Sequence, residues 1–171
     1  MWRLAFALSK QRMLSTRMLI MLPILLLFIP GMAWGFADPN IQLPAEQLPT
    51  NATEVMFLAS IGIVFAGTMA AVLIAHDGIS RDRVSGVLEV RLSQPMPRWR
   101  QGVVLMIGHW SSIALPVAVL LVASMMLVGY RSGMWMPLSD VFIYVLAAIL
   151  ILLWYTVFAL LASSIAKEQG S

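Results

Sequence analysis

Few residues in this chain of 171 could do acid–base, nucleophilic or metal chemistry. There are two histidines, His76 and His109, and the first adjoins a carboxylate, Asp77. Imidazole nitrogens and carboxylate oxygens ligate divalent metals, so His76, Asp77 and His109 form a candidate site, though a thin one. His109 falls inside an apolar segment, where an ionisable residue is a functional candidate by default. The reading favoured here is that both imidazoles lie near the membrane interface and bond to water or backbone. Ser111 and Ser112 have no recognisable base and orienting partner, so nucleophilic catalysis has no support. No Gly-x-x-x-x-Gly-Lys phosphate loop occurs, which excludes ATP binding by that device. With no cysteine, disulfides and thiolate metal sites are excluded. The 13 methionines fall mostly in apolar segments and read as flexible packing. The chain is therefore expected not to be an enzyme and to need no cofactor.

The stretch 77–100, DGISRDRVSGVLEVRLSQPMPRWR, is a long polar interruption between apolar segments and carries five arginines. Val84, Val87, Leu88 and Leu92 recur at helical spacing, so a short amphipathic helix is expected over about 80–93. Pro95 and Pro97 should end it, since proline lacks an N–H and disfavours helix at the preceding residue. Such a helix is too short and too charged to cross a bilayer. A basic, solvated connector is the plainer reading of these charges.

The spacing argues for more. Asp82, Arg83, Val84, Ser85, Gly86, Val87, Leu88 and Glu89, then Leu92, Pro95 and Arg98, with Arg81 just before them in the docking stretch, resemble the loop between the second and third membrane helices of ABC transporter permeases of the type-2 exporter class. The likeness extends to the NosY-like subtype of that class. In the family, the run is an acidic residue, Arg, an acidic residue, a small residue, Gly, Thr, Leu and Glu, followed by a leucine-rich turn, Pro and Arg. Here Val84 replaces the second acidic residue, and Val90 and Arg91 replace an apolar pair. The resemblance implies that this is the coupling helix, which docks on a separate ATPase subunit. It also implies a second permease subunit, identical or related, and export driven by ATP hydrolysis in another polypeptide. The other partner is membrane lipid, and no nucleic acid is expected.

These residues must be positioned by membrane helices. The chain is 60% hydrophobic and 11% charged, whereas soluble domains carry about 25% charged residues. The fold class expected is an all-α integral membrane protein: four transmembrane helices, an N-terminal interfacial helix and the short cytoplasmic coupling helix. The interfacial helix takes 1–17, with Arg3, Lys10 and Arg17 near one face and Trp2, Phe6 and Met13 broadly opposite. Spans are expected at 18–36, 55–76, 103–129 and 141–166. Pro23 and Pro30 should kink the first span or end it early. Gly62, Ala66 and Ala70 make a small-residue stripe suited to close helix approach. Members of the resembled family have six spans, so this chain is expected to be a fragment lacking the last two, with the stripe facing lipid or a missing partner.

Ten of the eleven Lys and Arg lie in 1–17, 77–100 and the C-terminal tail, and Arg131 alone lies on the other side. The positive-inside rule then places both termini and the arginine loop in the cytoplasm, in a multi-pass protein of the plasma membrane. The same rule accounts for the net charge of +3 without an anionic partner. A four-span scaffold or assembly factor without transport is the alternative, and an intramembrane metalloenzyme on His76, Asp77 and His109 is a more distant one.

Overall fold

The computed structural model describes residues 2–38, 49–76, 78–87, 89, 93 and 97–165. Those residues fold as helices joined by short turns, with no strand among them. In order they are α1 (Trp2–Met13), α2 (Thr16–Phe36), α3 (Ala52–Gly62), a π-helical segment (Ile63–Gly67), α4 (Thr68–Ala75), α5 (Ser80–Val84), α6 (Arg98–Ser132) and α7 (Leu138–Ile165). Four rods are long and apolar enough to cross a membrane: α2, the run that begins with α3, α6 and α7.

Local chemistry sets the helix ends. Ser15 caps α2, its hydroxyl accepting from Met18 N–H and donating to the Arg12 carbonyl at 2.6 Å, which turns α1 into α2 without a loop. Asn51 caps α3 by accepting from Glu54 N–H at 2.9 Å, and the Glu54 carboxylate accepts from Thr50 N–H at 2.6 Å. This is the reciprocal arrangement of a capping box, shifted by one residue. At the end of α6, Gly133 takes a φ of 72°, which a side chain resists, and its N–H bonds the Gly129 carbonyl at 3.0 Å.

Helix α2 runs unbroken past Pro23 and Pro30 to Phe36. Each proline removes one main-chain bond, but a helix in an apolar setting has no better state to fall into. One expectation changes: the small-residue stripe does not face lipid or a missing partner. Gly62, Ala66 and Ala70 are buried within the four-rod unit. A Cβ on Gly62 would overlap the Phe28 carbonyl of α2, and one on Gly67 would lie 3.3 Å from Leu152 of α7. The second rod therefore spends its small residues on two neighbours at once.

The longest helix, α6, touches α1, α2, α3, α4 and α7 and is the centre of the unit. Its 35 residues extend roughly 52 Å, more than a bilayer core needs, and its first turn begins at Arg98, ahead of the span expected from 103. The core around it holds Leu25, Ile29, Met56, Ile113, Val117, Leu121 and Leu152, all essentially inaccessible. Large apolar side chains also cover the outside of the rods, among them Leu27, Phe57, Val119, Phe142 and Trp154. Such a surface suits lipid as the surrounding solvent.

Buried hydroxyls are satisfied along their own helices. Ser112 donates to the His109 carbonyl at 2.6 Å, Ser124 to Leu120 at 2.7 Å and Thr156 to Leu152 at 2.8 Å. At the end away from the arginine loop, Arg131 donates to Asp38 at 2.5 Å and to the Trp34 carbonyl at 2.6 Å, with its guanidinium 4.4 Å above the Trp34 ring. Thr53 donates to Asp140 at 2.8 Å, and the Tyr144 hydroxyl to the Met56 carbonyl at 2.6 Å. These contacts tie α2 to α6 and α3 to α7.

Candidate functional site: the loop between the second and third spans

The loop leaves α4 through a tight turn. His76 N–H bonds the Val72 carbonyl at 2.8 Å, and Gly78 N–H bonds the Ala75 carbonyl at 3.0 Å. Gly78 lies against α6 and α7 together: a Cβ there would come within 2.8 Å of His109 Nε2 and 3.0 Å of Leu160 Cδ2. Only glycine lets the main chain come this close.

Beyond the turn, α5 is fastened to the end of α7. The N–H groups of Ile79 and Ser80 both donate to the Ser163 hydroxyl at 3.0 Å, the first bond partly and the second fully buried. Arg83 donates to the Ser164 carbonyl at 2.9 Å. Ser80 and Asp82 turn inward, while Val84 and Val87 are 59% and 41% exposed. Arg81, Arg83 and Glu89 are exposed as well. The loop thus presents two apolar side chains amid charge, Val84 at the end of a short helix held from behind by two spans and Val87 just past the Gly86 stop.

Helix over the expected 80–93 is interrupted rather than continuous. Its first piece covers Ser80–Val84, and Ser85 N–H and Gly86 N–H close that end on the Arg81 and Arg83 carbonyls at 3.0 and 3.2 Å. Gly86 then takes a φ of 72°, the left-handed conformation of a helix stop. Past Gly86, Val87 and Glu89 are helical again, and Ser93 N–H bonds the Glu89 carbonyl at 3.0 Å. The apolar spacing suggested continuity, and the glycine within it was the signal to the contrary. Asp77, Leu88, Val90, Arg91, Leu92 and Pro95 lie outside the described residues. Arg98 is the first residue of α6, preceded by Pro97, and is exposed.

The two histidines have different fates. His76 is exposed, with Nδ1 2.9 Å from the Leu73 carbonyl. His109 is fully buried in α6, with Nδ1 2.8 Å from the Leu105 carbonyl and Nε2 turned to Gly78. Among the described residues, no group of three His, Cys, Asp or Glu could hold a metal ion. His109 forms part of the floor on which the loop turn rests. Three contributors to the loop's seat were not foreseen: Gly78, Ser163 and His109 in this packing role. A lone glycine after His-Asp and a serine pair near the end of a span carry no spacing that would have found them.

No curated protein and no solved structure matches this chain. The family described as ABC-2 family transporter protein matches residues 10–170, which takes in every rod and the loop between the second and third. With four membrane-length apolar helices and that match over nearly its whole length, the chain belongs to the ABC-2 transporter family and is a multi-pass membrane permease component of an ABC transporter.

Proposed function

We propose that this permease is the membrane part of an ATP-driven exporter and that its 77–100 loop docks on a separate ATPase subunit. The observation that carries the reading is the mounting of α5. Its main chain is held by Ser163 and its turn is packed on His109, while Val84 and Val87 face outward. A push on those valines is transmitted through main-chain bonds to α7 and through Gly78 to α6. A loosely hung connector would absorb the push. Leu88, Glu89, Leu92, Pro95 and Arg98 complete the docking stretch, with Arg81, Asp82 and Arg83 at its start. Closure of a pair of ATPase subunits rocks the spans of two permease subunits, identical or related. The arginine loop and both ends lie in the cytoplasm, in keeping with the charge bias, and the membrane is the plasma membrane.

Val84→Glu and Val87→Glu test this reading. A carboxylate buried unpaired in an apolar groove costs several kcal/mol, so the coexpressed ATPase should copurify at least about tenfold less. Membrane insertion should be normal, because the spans are untouched. A scaffold without transport predicts no change, and undiminished recovery of the ATPase with both variants would refute the docking assignment.

A further inference from the structure

A cavity of about 660 Å³ opens where α1 turns into α2, next to α5. Three guanidiniums line it from three elements: Arg12 near the end of α1, Arg17 in the first turn of α2 and Arg81 in α5. Asp82 is the one carboxylate among the described lining residues, so three positive groups less one negative leave a net charge of +2. Arg17 also reaches across to the second rod, its Nη1 donating to the Leu73 carbonyl at 3.3 Å. A guanidinium has five N–H donors in a planar fork, so one already engaged with protein can still hold a phosphate.

The cavity's level in the molecule narrows the choice of ligand. It sits at the first residues of one membrane rod and, through Ile74, near the last apolar residues of another. Headgroups lie at that level in a bilayer. Leu14, on its wall, is 77% exposed and offers an apolar exit beside the cationic floor. Inorganic phosphate shares the anionic chemistry but has no use for Leu14.

We propose that this cavity binds the phosphodiester headgroup of an anionic membrane phospholipid, one per chain, with the acyl chains leaving past Leu14. The site goes beyond the permease reading; it shares Arg81, Asp82 and Val87 with the proposed docking stretch, and its test needs no ATPase. A lipid held there bridges α1 and α2 to α5, so the seating of the loop depends on the composition of the surrounding leaflet.

The test is native mass spectrometry of the full chain in detergent with added phosphatidylglycerol or phosphatidylcholine. Each basic side chain near an anionic surface contributes roughly fivefold in affinity, so net two charges should favour phosphatidylglycerol by roughly 25-fold. Arg81→Gln should lower retention roughly fivefold, and Arg81→Lys should largely keep it, because the attraction is by charge. Arg17→Gln should lower it similarly, and Arg100→Gln, outside the cavity, should leave it alone. Equal retention of the two lipids by the unmodified chain would overturn the proposal, and that measurement needs no variant. An equal loss with Arg100→Gln would overturn it by pointing to diffuse surface charge. Displacement of phosphatidylglycerol by millimolar inorganic phosphate would overturn the assignment to lipid.

Discussion

A single hydroxyl, that of Ser163, accepts both the Ile79 and the Ser80 main-chain N–H at 3.0 Å. Ser163 is 1% exposed and Ser80 3%, so little water can take over if that oxygen is lost. Leaving a buried donor unsatisfied costs about 1–3 kcal/mol. Ser163→Ala should therefore loosen the loop while leaving the spans intact. Hydrogen exchange should quicken at residues 79–83 and stay unchanged at the centre of α6. Exchange at 79–83 matching the unmodified chain would mean that the hydroxyl does not hold the loop. Ser163→Thr keeps the oxygen and should restore protection in part, the added methyl entering a packed site. None of this was legible in the sequence, where Ser163 is one serine of a pair near the end of an apolar run. Its role depends on the loop end of the second rod lying beside that of α7, which no local pattern encodes.

At the scale of elements, α1 packs along α6 more extensively than on any other helix, and the tightest point of that contact is at Leu8 and Gly108. Leu8 lies over Gly108, where an added Cβ would fall 2.6 Å from Leu8 Cδ2. Overfilling such a contact costs about 1–3 kcal/mol, and α1 touches little besides α6 that could hold it in place. Gly108→Leu should lift α1 from α6, raising the reactivity of a reporter cysteine at the buried Ala5. Leu8→Ala in the same chain should reverse the effect by vacating the volume, and failure of that rescue would show that Gly108 acts elsewhere. The rods themselves were legible, because runs of apolar residues with so few charges have one stable setting. Their ends were less so: α6 starts at Arg98 because Pro97 can precede a helix but not sit inside one cheaply, and hydropathy alone discounted the charged first turn. The break after α5 was legible only in part, since the valine and leucine spacing, which does return to helix at Val87, outweighed Gly86.

The molecule as a whole separates its charges. The described part of the arginine loop and α1 share one end, and Arg131, bound to Asp38 and Trp34, occupies the other. With the arginine loop inside, Ser85→Cys should be labelled by an impermeant maleimide only after the membrane is opened. Ser132→Cys should be labelled from outside in intact cells. The reverse pattern would invert the orientation. Between these ends the second rod works as an offset shaft. Its lower-numbered part, α3, packs chiefly on α2, and its later part, α4, chiefly on α7. The π-helical segment Ile63–Gly67 lies between them. A π turn accommodates one residue more than an α turn, and one residue is about 100° of helix rotation. The inserted angle lets one rod present its small side chains to two differently placed neighbours. In genetic terms this makes the second span intolerant of a change in length. Losing a single codon from 63–67 would preserve composition, hydropathy and every cap. It would also turn the α4 stripe, and with it the Gly78 seat and the whole loop, about a quarter-turn away from α7.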